Sequence, residues 1–123
     1  MATPSTPPLT PQFRAWLEHE RDWGTSAVNA ITRQRRLLLA ETHGLDRFTV
    51  RMALVNLTGS VARWAHGLND GLSKVGHPET AGLFAIEPPF AAADPSTDDC
   101  DQLAEYVEAR MNALRDLLAE DAA

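Results

Sequence analysis

Apolar residues recur every three or four positions through the middle of the chain, which is the spacing of one buried helix face. The series passes through Gly59 and Ser60 without a shift, so it predicts one helix over about 46–75, roughly 45 Å long at 1.5 Å per residue. Its members are Val50, Leu54, Leu57, Val61, Ala65, Leu68, Leu72 and Val75.

The N-terminal third predicts another long helix, over about 11–42. Thr10 can cap its first turn, and Pro11 is favoured at the first helical position. Gly24, followed by Thr25 and Ser26, leaves two interpretations open, one helix of about 30 residues or two shorter ones. The apolar residues at helical spacing are Phe13, Trp16, Leu17, Trp23, Ala27, Ile31 and Leu38. Residues 1–9, rich in Pro, Ser and Thr, are predicted to form a flexible tail.

A Pro-rich segment, 76–97, separates the middle helix from the last one and is predicted to be a non-helical linker. It either packs its apolar residues across the bundle as a crossover or offers them to a partner. The spacing of Ser96 and Asp99 resembles a capping box and predicts a final helix over about 98–120. The expected fold is therefore all-α, a three- or four-helix bundle of long amphipathic helices forming a single domain over 10–123.

The net charge of −6 is unevenly distributed. Residues 33–74 contain seven Arg or Lys against three Asp or Glu, whereas residues 94–123 contain two against nine. A basic middle could meet phosphates, but the acidic last helix could equally neutralise it by lying alongside. The second interpretation is favoured because it needs no partner.

Residues with recognisable chemistry are few. The chain has no Gly-rich phosphate loop, no Gly-x-Ser-x-Gly elbow and no repeated Glu-x-x-His pair, so we expect a protein that is not an enzyme and holds no cofactor or metal. His66 and Asp70 share a helix face at ligand-compatible spacing, but a surface position is the commoner explanation. Cys100 falls on the apolar stripe of the last helix and is expected to be a small core residue. Without a transmembrane or signal segment, a cytoplasmic location is expected.

Residues 39–57, LAETHGLDRFTVRMALVNL, carry a resemblance to a known motif. The stretch resembles the helix-turn-helix of GntR-type bacterial transcription regulators. The resemblance implies that Gly44 takes the tight turn, and that Arg47, Thr49 and Arg51 face the duplex and contact phosphates or guanine edges. The same residues also fit a helical hairpin, in which Gly44 closes one helix and Asp46 caps the next. Unlike the family, the helix after the turn continues to Val75.

The long helical stripes and large aromatic residues favour a non-catalytic function in protein–protein contact or assembly, through a protein partner or self-association. The residues expected to contact the partner are Trp16, Trp23, Trp64, Phe84 and Phe90. The alternative is a DNA-binding regulator that uses residues 39–57. No membrane association is expected.

Overall fold

The computed structural model describes residues 8–40, 44–89 and 95–122. It contains three long helices, α1 (Pro11–Leu39), α2 (Gly44–Lys74) and α4 (Thr97–Ala122), and one short helix, α3 (Pro78–Leu83). No strand occurs in these ranges. The all-α bundle expected from the sequence is therefore confirmed.

The helix α1 is continuous through Gly24, which settles the question that the sequence left open. Thr10 caps it, because its hydroxyl accepts a hydrogen bond from the backbone N–H of Phe13 at 3.1 Å. Gly24 is buried where α1 approaches α4, and a Cβ there would lie 2.6 Å from Cγ of Met111. A missing side chain thus allows a close helix contact at this position.

The corner between α1 and α2 differs from the sequence expectation. α1 ends at Leu39 instead of about 42, with Ala40 as its C-cap, and α2 begins at Gly44 instead of 46. Gly44 is therefore the first helical residue and does not close α1. Residues 41–43 and the side chain of Asp46, with its expected capping role, lie outside the described part of the chain.

The end of α2 is fixed by a glycine in the left-handed region. Gly76 has φ of 86°, and the backbone N–H of His77 donates to the carbonyl of Leu72 at 2.9 Å. The N–H of Gly76 donates to Ser73 at 3.3 Å, which completes a Schellman motif and satisfies carbonyls at the helix end. α2 consequently stops at Lys74.

The helix α3 corrects the prediction that 76–97 contains no helix. Pro78 occupies its first turn, where the missing N–H costs nothing, and Phe84 follows it as the C-cap. A helix of six residues is too short to produce a readable apolar period, which explains why the sequence did not reveal it.

The helix α4 packs more extensively on α1 than on α2, and runs antiparallel to α1. Arg35 Nε donates to Asp101 Oδ1 at 2.8 Å near one end of the pair. Near the other end, Arg14 Nη1 donates to Asp121 Oδ2 at 2.9 Å. The capping box expected at the start of α4 is present, because the N–H of Ser96 donates to Asp99 at 2.8 Å and the N–H of Asp99 donates to the Ser96 hydroxyl at 3.3 Å.

The segment after α3, which we call the crossover (residues 84–89), lies between α2 and α4. The ring of Phe84 meets Trp64 of α2 edge-on, with 5.7 Å between ring centroids. The hydroxyl of Tyr106, on α4, donates to the carbonyl of Ile86. Phe84 is fully buried, so this part of the linker packs across the bundle as one of the two sequence interpretations expected.

A buried arginine supports the crossover contact from α4. The guanidinium carbon of Arg110 lies 3.5 Å from the ring centroid of Tyr106, and its Nη1 donates to the Tyr106 carbonyl at 3.0 Å. Burial is the main cause that raises the pKa of the Tyr106 hydroxyl above its ordinary value. Tyr106 therefore stays protonated and can donate to the crossover at neutral pH.

Two glycines of α2 provide a matched test of helix packing. A Cβ on Gly71 would lie 2.8 Å from Cη2 of Trp16, whereas one on Gly67 would meet nothing within 4 Å. Gly67→Ala should raise the free energy of unfolding by about 1 kcal/mol, because alanine is the better helix former. Gly71→Ala should lower it, because the rigid indole must move. Urea unfolding of both variants measures the difference, and equal stabilisation by both would contradict the close contact with Trp16.

The junction at Asp121 predicts a pH dependence. Hydrogen bonds from the Leu9 backbone and from Arg14 lower the pKa of Asp121 below its ordinary value of 3.8. This contribution to stability is therefore present above the ordinary pKa and is lost as the pH falls through the lower pKa of the folded state. Asp121→Asn should reduce the melting temperature at pH 7. Below pH 4 the melting temperature of this variant should fall less than that of the unchanged protein, because the variant has no carboxylate at position 121 to protonate. The neighbouring exposed change Glu120→Gln is the control, and a decrease as large as that of Asp121→Asn would contradict the assignment.

Candidate interaction surface

Two of the five aromatic residues expected to contact a partner lie in the interior, and two are partly exposed. Phe84 is fully buried and Trp64 is nearly so, while Trp16 and Trp23 are half-buried. Trp23 and Trp64 stack with 5.5 Å between ring centroids, and the indole N–H of Trp64 donates to the Glu20 carbonyl at 3.0 Å. Phe90 lies outside the described residues. In this arrangement Phe84 and Trp64 offer almost no surface to another molecule.

A cleft opens between α1 and α2 above the stacked indoles. Its volume is about 360 Å³, and it is open to solvent. The lining residues are His19, Glu20, Trp23, Ser60, Arg63 and Trp64.

The polar groups of the cleft do not form a catalytic arrangement. Burial is the main cause that raises the pKa of the Glu20 carboxyl, partly offset by the charge of His19. The hydroxyl of Ser60 accepts a hydrogen bond from Arg63 at 3.1 Å, and within the described ranges it has no hydrogen bond to a histidine or carboxylate. The cleft thus offers polar contacts and the edge of Trp23 without an activated nucleophile.

The most exposed apolar surface of a helix lies elsewhere, on α2. Phe48, Met52 and Val55 keep 57%, 44% and 37% of their surfaces exposed. At 100° per residue they project about 150° away from the line of Val50 and Leu54, which are buried. We call Phe48, Met52, Val55 and the next residue in this series, Gly59, the outer stripe. Nothing but the tip of Arg63 approaches the Cβ position of Gly59, so this end of the stripe is flat.

The outer stripe was not recognised from the sequence. The dominant apolar series, which includes Val50 and Leu54, predicts one buried face of α2. A weaker apolar series, at positions 48, 52 and 55, lies between its members along the chain. Apolar residues opposite a complete core stripe are the signal that could have revealed it.

The ends of the stripe have different surroundings. Leu37 and Leu39, at the end of α1, are also exposed, so most exposed large apolar residues of the described ranges lie toward the corner of α1 and α2. At the other end, the same row of positions continues past Gly59 through Ala62 to His66, whose Nε2 lies 2.7 Å from Glu87 Oε1 of the crossover. The outer stripe spans about three helical turns, and the crossover bounds this face of α2 about two turns beyond Gly59.

The charge around the outer stripe is positive. Between Arg47 and Asn69, α2 carries three arginines and no carboxylate. By helix geometry Arg51 projects about 70° to one side of the stripe and Arg63 about 50° to the other. Both are exposed, and neither forms an ion pair with a described carboxylate. The apolar stripe is thus bordered by cations.

The residues implied by the helix-turn-helix resemblance lie at the start of α2. Arg47 is half-buried and donates to the carbonyl of Pro95 at 3.3 Å, whereas Thr49 and Arg51 are exposed. Val50 and Leu54 are buried, as they would be in such a motif. However, Phe48 and Met52 are exposed among these polar residues, which gives the surface a mixed apolar and basic character.

Within residues 8–40, 44–89 and 95–122, no three His, Cys, Asp or Glu side chains are grouped so that they could hold a metal ion. No helix in the same ranges is both long and apolar enough to cross a membrane.

Comparison with known proteins found no matching family model, no similar curated protein and no similar solved structure.

Cys100 predicts a simple chemical measurement. The thiol is fully buried on α4, and burial, with the charges of Asp101 and Asp99, raises its pKa. Because the thiolate is the reactive form, we expect a disulfide reagent to label the folded protein much more slowly than the unfolded protein at pH 7. Labelling should follow the unfolding curve in urea. Rapid labelling without denaturant would contradict the burial of Cys100.

Proposed function

We propose that this protein is a non-catalytic helical module for protein–protein interaction or assembly, and that the outer stripe of α2 is its main contact surface. The observation that carries the proposal is the exposure of Phe48, Met52 and Val55 on a helix whose core-facing side already buries Val50, Leu54 and Val61. The buried face already stabilises α2 in the bundle, so folding of the bundle does not account for the second apolar face.

Covering the outer stripe with a partner would stabilise the complex. Burying a large apolar side chain that is fully exposed contributes about 1.5–3 kcal/mol. Phe48, Met52 and Val55 are only partly exposed, so each of them would contribute a fraction of that value. A stable interface usually covers about 800 Å² on each partner, more than these three residues can supply. A partner must therefore also cover the bordering residues, and Arg51 and Leu37 are exposed near the same end of the bundle.

The Pro-rich segment and the cleft between α1 and α2 are two further surfaces for contact with a partner. Leu83 at the end of α3 and Ile86 in the crossover are exposed, and Trp23 lines the cleft with part of its ring. We therefore retain the Pro-rich segment and the half-buried tryptophans as additional proposed contacts. We prefer the outer stripe because its residues lie in one row on a single rigid helix. Their backbone is already ordered, so binding does not cost the entropy of ordering it.

Site-specific photo-crosslinking can test the contact surface. A photoreactive amino acid would replace Met52 in the stripe, His19 at the cleft, or Arg115 on the exposed side of α4, and each protein would be expressed in cells that make the native chain. We expect a discrete crosslinked protein from position 52, because only that probe lies within the contact. The probe at 115 is the control.

The crosslinking result has clear contrary outcomes. The same products from positions 52 and 115 would contradict a specific contact on the stripe. A discrete product from position 19 alone would move the contact to the cleft and contradict our choice of surface. Thermal unfolding of the three proteins must agree, since all three positions are exposed.

DNA binding by residues 39–57 is the competing proposal, supported by the exposed Arg51 and the buried Val50 and Leu54. Size-exclusion chromatography with light scattering, with and without random duplex DNA, separates the two. A shift that disappears as salt rises from about 0.05 to 0.2 M would favour the regulator, because phosphate contacts are salt-sensitive. Elution unchanged by DNA would favour protein contact.

A further inference from the structure

We infer that the segment covering the outer stripe is an acidic amphipathic α-helix of a different protein, about three turns long. This inference rests on the proposed function and adds the chemical class of the partner. It follows from the shape of the stripe, from the charges at its borders and from the poor fit of a second copy.

The shape of the stripe matches a helix. Phe48, Met52, Val55 and Gly59 follow one another by four, three and four residues along a continuous helix. From the first to the last they span about 16 Å at 1.5 Å per residue. A partner helix with apolar residues at the same spacing can pack its ridge beside this one, with axes about 8–10 Å apart. The absent side chain at Gly59 leaves room for a bulky partner residue.

The length of the partner segment is limited by the crossover. Glu87 is paired with His66, which lies on the same face of α2 about two turns beyond Gly59. A longer helix would meet this pair, whereas the other end of the stripe opens toward the exposed Leu37 and Leu39. The partner helix should therefore stop before His66 and cover the stripe between Phe48 and Gly59.

The charges select an acidic partner. Arg51 and Arg63 project to opposite sides of the stripe, and Arg63 has only the neutral Ser60 as a hydrogen-bond partner among the described residues. Eight of the 17 Asp and Glu residues of the chain belong to α4, which has few contacts with α2. At physiological salt, charges farther than about 8 Å are largely screened, so the local arginines outweigh the net charge of −6. Glu or Asp flanking the apolar residues of a partner helix would meet both cations.

A second copy of the chain fits less well. In a symmetric dimer, two α2 helices would pack across a two-fold axis at Met52. Because Arg51 is next to Met52 in the chain, each Arg51 would then approach the Arg51 of the other copy. No carboxylate lies between Arg47 and Asn69 to compensate this repulsion. Like charges at an interface disfavour a pairing, so the stripe favours a different chain.

Synthetic peptides can test the charge requirement. The probe is a fluorescent, Ala-based helical peptide of about 20 residues, with Leu at spacings of four, three and four and Glu on both sides of the Leu row. The matched peptide has Lys at every Glu position. Fluorescence anisotropy should show the acidic peptide binding about tenfold more tightly than the basic one, the effect of two favourable exposed ion pairs. This preference should decrease as salt rises.

Protein variants locate the effect. Met52→Ser should weaken binding of the acidic peptide, because it removes apolar contact. Arg51→Gln combined with Arg63→Gln should abolish the tenfold preference while leaving the apolar contribution. Arg115→Gln on α4 is the control and should change neither. All changes are at exposed positions, and thermal unfolding checks that the fold is intact.

The outcomes distinguish this inference from the proposed function. Equal binding of both peptides, or an unchanged preference in the double arginine variant, would overturn the acidic partner while leaving the stripe as a contact surface. Failure of both peptides to bind would also overturn the inference, and crosslinking from position 52 would then decide the proposed function separately. Dimerisation that Met52→Ser abolishes would replace the acidic helix with a second copy. A salt-sensitive complex with DNA alone would replace it with nucleic acid.

Discussion

The packing of α4 against α1 is the contact on which the rest of the bundle depends. Arg35 and Asp101 hold one end of this antiparallel pair, and Arg14 and Asp121 hold the other. Between them the buried side chains of both helices form much of the core, and the buried Gly24 lets the helices approach closely. Because α1 is covered on this side by α4, α2 can reach the core only from the other side.

The exposed face of α2 is a consequence of that arrangement. α2 contacts α1 along one flank and the crossover along another, while its contacts with α4 are few. The crossover reaches α2 at His66 and Trp64, so it leaves the first half of the outward face open. The outer stripe lies on this open part of α2. Its apolar residues are exposed because neither α4 nor the crossover covers them.

The aromatic residues serve the interior more than the surface. Trp64 packs between Trp23 and Phe84, and its N–H is satisfied by a backbone carbonyl, which removes the cost of burying it. Trp16 fills the space left by Gly71. Large aromatic residues are frequent both in cores and at interfaces, so their presence alone could not distinguish the two roles. The smaller residues Met52 and Val55 carry the stronger evidence for contact.

The sequence by itself determined the features that depend on near neighbours. Capping by Thr10, the capping box of Ser96 and Asp99, the long helices and the burial of Cys100 could all be predicted, because these features depend on hydrogen bonds and apolar spacing within a few residues. Only the tertiary structure decided the continuity of α1 at Gly24, the burial of Phe84 and the exposure of Phe48 and Met52. These features depend on where a distant helix packs, and contacts between residues far apart in the chain leave no local pattern.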